Sequence, residues 1–205
     1  MNNVKNITVA PKNVMNTNPT QKLKVADKFP AMSLTTTKGK ELSIPVPGAR
    51  FTHVQFRRFS GCPICNTHIA SLRTAADKLR GMGIHEVLFF HSTTSEVQSF
   101  HNDLPFDAIA DPGKRFYRQV GTEKSYFATL YPSALWAAFV SSIKGRFGVK
   151  MTGGPFSLPA EFLVAPDGRI LAAKYGLHAY DQWSVDELLK LTATTNEVHS
   201  WQPQN

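Results

Sequence analysis

Two cysteines are the only thiols in the 205-residue chain, and just Pro63 and Ile64 separate them, giving Cys62-Pro63-Ile64-Cys65. Thiols at this spacing, at the start of a helix, can close a small disulfide ring. A helix start also supplies free N–H groups and partial positive charge, which favour a thiolate over a thiol. One turn apart on the same face, Cys62 is expected at the exposed tip and Cys65 in the shielded position. Cys62 would attack a peroxide or a disulfide. Cys65 would then release water from a Cys62 sulfenic acid, or a reduced partner from a mixed disulfide. Arg57 and Arg58 lie just upstream. Strand alternation turns only one of them to the site; Arg58, sharing the face of Phe56, is favoured over Arg57, and two solvated surface charges are the alternative. His68, one turn beyond Cys65, makes zinc the competing chemistry. No second Cys-x-x-Cys completes such a site, so a surface His68 and no metal are expected.

The elements around the pair must bring it to one end of a sheet. Phe51–Phe56 reads as the first central strand. Cys65, Ile69, Leu72, Ala76 and Leu79 then follow at helical spacing. Glu86–His91 reads as a buried strand, Ser95–His101 as a short helix, and Asp107–Ala110 as a strand stopped by Asp111-Pro112-Gly113. This alternation predicts a parallel α/β core. Upstream, a Lys38-Gly39-Lys40 turn within Lys24–Ile44 predicts a hairpin. Downstream, Pro159–Tyr175 reads as two apolar strands joined by Pro166-Asp167-Gly168. A capping box, Ser184 to Glu187, opens a helix through Leu191. The predicted division is a polar tail over 1–22, one domain over 23–191, and a second polar tail over 192–205.

Composition narrows the function classes. The net charge of +8 is scattered rather than banded, with no basic stripe interleaved with aromatics, so nucleic-acid binding is not expected. Tyr126–Ile143 is apolar but broken by Pro132 and carries several hydroxyls, which argues against a membrane span. It reads as a helical insertion packed on the core, with an oligomer surface (a homodimer, for instance) or a partner surface as the alternative. Lys144–Gly154 reads as a basic, glycine-containing loop. The polar first residues carry no secretory pattern, so a cytoplasmic setting is expected, where a cysteine pair is more often catalytic or metal-binding than a structural staple.

FRRFSGCPIC, together with PAEFLVAPDGRILAAKYGLHAYDQWSVDELL, resembles the peroxiredoxin-like branch of the alkyl hydroperoxide reductase/thiol-specific antioxidant superfamily over about Lys24–Leu191. The resemblance implies an α/β thioredoxin-like fold: a central mixed sheet flanked by helices, with an N-terminal hairpin extension and a helical insertion. It implies that Pro159 is the cis-proline beside the cysteines. It also implies an antioxidant thiol oxidoreductase without a cofactor, taking a peroxide or disulfide and a thiol donor such as thioredoxin or glutathione. One departure stands out. Peroxiredoxins carry Pro-x-x-x-Thr-x-x-Cys, and here Gln55 and Phe59 replace the proline and threonine, so a peroxide-binding hydroxyl is missing. If Pro159 opens its strand at the cysteine pole, the hairpin returns Tyr175–Trp183 to that pole. His178, Tyr180, Asp181 and Trp183 then become candidates for substrate contact or proton transfer, His178 by its titration range. Two other functions stay open: a disulfide reductase of protein partners, and a non-enzymatic binding module using Tyr126–Ile143.

Overall fold

A computed structural model describes residues 22–122 and 157–200 of the chain. The tail up to residue 21, the Tyr126–Ile143 insertion and the loop after it lie outside the described residues.

The centre is a five-stranded sheet of order β5-β4-β3-β6-β7. Strand β3 (Phe51–Phe56) is its middle member and is buried at every position. It pairs in parallel with β4 (Ile84–Phe90), which pairs in parallel with β5 (Asp107–Ala110). On its other side β3 runs antiparallel to β6 (Ala160–Val164), and β6 antiparallel to β7 (Ile170–Tyr175). The strand–helix alternation thus yields a parallel half, and the C-terminal hairpin makes the sheet mixed. Gly168 supplies the left-handed backbone at that hairpin's turn, with φ +85°.

Alternation along β3 divides the core. Val54 and Phe56 join Val87, Phe89 and Phe162 on one face, covered by a separate hairpin of β1 (Met32–Thr35) and β2 (Glu41–Ile44) and by a short helix, α4 (Arg115–Gln119). Phe51 points to the other face, where Leu72, Leu79, Trp183 and Leu188 pack beneath helices. The helix after the cysteines is split at Ala75 into α1 (Pro63–Thr74) and α2 (Ala76–Gly81), where the periodicity predicts one continuous helix. Helix α3 (Thr94–His101) covers Leu88 and Ala108 through Val97.

The capping box forms as predicted: Ser184 N donates to Glu187 Oε2 at 2.8 Å and Glu187 N to Ser184 Oγ at 3.2 Å. It starts α5, which runs Val185–Ser200, so the polar tail expected from residue 192 is largely helix. The polar side chains there are accommodated locally. Thr192 is fully buried and its hydroxyl donates to Leu189 O, while that of Thr194 donates to Lys190 O. Among the described residues no helix is long and apolar enough to cross a membrane.

Candidate active site

The turn between β3 and α1 leads into the cysteine pair and is pinned from three directions. Tyr117 OH donates to Arg57 O at 2.5 Å, Ser60 N donates to Ser92 Oγ at 3.1 Å, and His101 Nε2 donates to Ser60 O at 3.1 Å. Cys62 N closes the turn on Phe59 O at 3.0 Å. Cys62 is then the N-cap of α1 with Pro63 as its first residue, where a missing N–H costs nothing. Both cysteines are free thiols.

Cys62 is 1% exposed and Cys65 0%, which corrects the expectation of an exposed tip thiol. Both thiols pack in one buried cluster with Phe59, which stands three residues before Cys62. Arg58 Nη1 donates to Cys62 Sγ at 3.8 Å, and its guanidinium lies 5.6 Å from the centre of the Phe59 ring. The Cys65 thiol is held well above its usual range, first by its hydrogen bond to Cys62, then by burial and the Cys62 charge, with Arg57 and Arg58 pulling the other way. Cys65 therefore keeps its proton, and a hydrogen bond links it to Cys62.

Arg57 and Arg58 are both buried, so neither is a solvated surface charge. Arg58 meets Cys62, while Arg57 turns into a polar layer between the sheet and α1. There its Nη2 donates to Gln55 Oε1 and, at 2.9 Å, to His68 Nδ1, and it lies 3.5 Å from Glu161 Oε1. Glu86 Oε2 accepts from Gln55 Nε2 and from His53 Nδ1, the latter at 2.8 Å. His68 is buried rather than on the surface, and its Nε2 donates to Trp183 O at 2.7 Å. Burial first, and then the Arg57 charge, lower its pKa to about 3, so it is neutral with the proton on Nε2. Both ring nitrogens are thus engaged away from the thiols. Among the described residues no three His, Cys, Asp or Glu side chains gather as a metal site. The signal for this layer is present in the sequence: His53 and Gln55 alternate within β3, and Arg57 continues the alternation just past its end.

Pro159 precedes β6 at the pole of the cysteine turn, since Ala160 pairs with Phe56. The Leu158–Pro159 bond is trans, contrary to expectation; among the described residues the cis peptide is Ile44–Pro45. Pro159 O instead accepts from Gly176 N at 2.9 Å, which draws the loop after β7 back to this pole. A Cβ on Gly176 would lie 2.7 Å from both Pro159 Cγ and Asp181 O, so only glycine allows this approach. Within the loop, Asp181 pairs with Lys174 at 2.8 Å and accepts from Leu177 N at 2.9 Å, and His178 Nδ1 accepts from Tyr180 N at 3.3 Å. Trp183 N donates to Glu161 Oε2 at 2.6 Å and its indole packs under α5. Of the four loop candidates, Trp183 joins the polar layer through its backbone, Asp181 and His178 brace the loop itself, and Tyr180 is exposed.

A family model described as AhpC/TSA antioxidant enzyme matches residues 71–178, just over half of the chain. The chain belongs to this family. As an AhpC/TSA member it is an enzymatic thiol oxidoreductase with an antioxidant role. The matched stretch begins within α1, after Cys62 and Cys65. No curated protein matches the sequence. Among solved structures, this AhpC/TSA chain is similar to peroxidoxin BcpB from Mycobacterium tuberculosis, with a TM-score of 0.60 and 14% identity over 86% of this chain and 98% of that one. A cysteine-to-serine mutant of peroxiredoxin 6 from Arenicola marina gives 0.65 and 14%, covering 89% and 81%. The reduced 2-Cys peroxiredoxin of Plasmodium vivax gives 0.63 and 12%, covering 87% and 85%. These likenesses establish the thioredoxin-like peroxiredoxin fold.

Proposed function

We propose that the protein is a thiol-dependent peroxidase in which Cys62 is the nucleophile and Cys65 the resolving thiol. The observation that carries this reading is the Arg58 N–H donated to Cys62 Sγ, beside a Cys65 thiol that is hydrogen-bonded to Cys62 and held protonated. The Cys62 thiolate attacks the terminal peroxide oxygen, the O–O bond breaks, and the departing alkoxide or hydroxide takes a proton. Cys65 then attacks the sulfenic acid, forming the disulfide and releasing water. A thiol donor such as thioredoxin or glutathione would return both cysteines to the reduced state.

The ring of Phe59 stands where a peroxide-binding hydroxyl is missing. Loss of one such donor commonly lowers a rate by about 10²–10³-fold, so the attack on peroxide should be slow and rate-limiting. Stopped-flow oxidation of the reduced protein by hydrogen peroxide, with mass mapping of the product, tests the reading. A Cys62–Cys65 disulfide forming without a persistent sulfenic acid supports it. Oxidation confined to Cys65, or no disulfide, refutes it.

A further inference from the structure

We infer that Phe59 is a specificity-determining residue, a size filter over Cys62 that admits slender oxidants and shuts out bulky peroxides and disulfides. The inference rests on the reading of Cys62 as the nucleophile.

Phe59 sits three residues before Cys62, is 7% exposed, and packs against both cysteines. Its ring lies between the Arg58 guanidinium, 5.6 Å from its centre, and the His91 ring, 6.3 Å away. An oxidant must bring its reacting atom to about 3–3.5 Å from the sulfur, in line with the bond that breaks. With Cys62 1% exposed, the packing around its sulfur must open to an oxidant, and Phe59 is the large side chain that clusters with it.

The backbone is poorly suited to opening. Bonds from Tyr117, Ser92 and His101 hold it on either side of Phe59, and the Cys62 N–H is tied to Phe59 O itself. Access then comes from turning the Phe59 side chain while the turn stays put, which clears a narrow path rather than a groove. Hydrogen peroxide, or a disulfide-type reagent carrying only a methyl group, fits such a path. An aryl disulfide places a ring where Phe59 itself packs. In each case the Cys62 thiolate forms the new S–O or S–S bond and the O–O or S–S bond of the reagent breaks, with hydroxide, alkoxide, methanesulfinate or aryl thiolate carrying away the electron pair. Because these leaving groups differ in intrinsic reactivity, each rate is divided by that of a small free thiol, which leaves the bulk behind the reacting atom as the variable.

The experiment uses the full reduced chain and pairs of reagents differing in bulk: methyl methanethiosulfonate against the aryl disulfide DTNB, and hydrogen peroxide against cumene hydroperoxide. Rates are measured for the native chain, Phe59→Ala and Phe59→Leu, and peptide mapping locates the modified cysteine. Phe59→Leu keeps an apolar side chain should the alanine variant fold poorly, and thermal melts identify which variants are folded. The expected result is a small-to-bulky rate ratio that falls by at least about tenfold in the folded Phe59 variants, because the bulky reagents gain and the small ones do not. An unchanged ratio with modification at Cys62 overturns the filter, as does a native chain whose rates with DTNB and methyl methanethiosulfonate stand in the same ratio as those of a small free thiol. Modification at Cys65 first, whatever the ratio, instead overturns the assignment of the nucleophile.

Discussion

Replacing Arg58 by glutamine removes a cation that donates to Cys62 Sγ, at 3.8 Å, and should change reactivity in a pH-dependent way. Two unit charges about 4 Å apart are worth about 4 kcal/mol at an effective dielectric near 20, which sets a ceiling. A hydrogen bond to a charged group is worth about 1.5–3 kcal/mol net, and Arg57 remains as a second buried cation, so this lower range is the better guide. It corresponds to a loss of about one to two decades in thiolate fraction. The remaining thiolate is more basic and therefore intrinsically more reactive, recovering about 0.4–0.5 of each decade. The variant should thus alkylate up to roughly 3–20-fold more slowly at neutral pH. Above the titration of both thiols it should be faster, by roughly 3–10-fold. Iodoacetamide labelling across pH 5–10 in a Cys65→Ser background reads Cys62 alone. Two rate curves that cross confirm the role; curves that coincide, or stay parallel at every pH, refute it.

Cys65→Ser should leave peroxide attack intact and stop the reaction at a Cys62 sulfenic acid, trapped with dimedone and seen by mass; trapping at the native level would remove Cys65 from the resolving step. His68 is neutral in the fold, with a pKa of about 3, because of burial and then Arg57, whereas an unfolded imidazole titrates near 6.5. Between these values the unfolded chain binds the proton, so stability should fall with pH from about 6.5 towards 3, this group contributing up to about 1.4 kcal/mol per pH unit. Denaturant melts of His68→Gln should show a flatter decline, and an unaltered slope would exclude His68 as the source. Gly176→Ala forces a Cβ to 2.7 Å from Pro159 Cγ and Asp181 O and should cost about 1–3 kcal/mol; an unchanged melting temperature would mean that the loop yields freely.

The elements were legible where one signal dominated. Gly39 and Gly168, both at positive φ, mark the two hairpin turns, and Ser184 with Glu187 marks the last helix. Local spacing was enough to bring Cys62 and Cys65 together and to choose Arg58 over Arg57 as the neighbour of Cys62. The burial of the pair was not legible. Burial depends on how the turn before Cys62 is held, and that is set by bonds from Tyr117, Ser92 and His101, remote in sequence. The same holds for His68, whose partners Arg57 and Trp183 come from the turn just after β3 and the loop before α5. The trans bond before Pro159 departs from what the resemblance implies, although the proline stands at the expected pole. The extent of α5 was hidden because threonine hydroxyls that bond back to their own helix look, in sequence, like a tail.

The two guanidinium groups buried beside the cysteine pair also bear on its reduction potential. A cation that favours the thiolate stabilises the reduced form and leaves the disulfide without that interaction, so each such contact makes the disulfide more oxidising. A contact worth about 1.5–3 kcal/mol corresponds to roughly 30–65 mV for a two-electron couple. The same contact that readies Cys62 for oxidant therefore eases its return to the dithiol state, and a weakly reducing donor would suffice to complete the cycle.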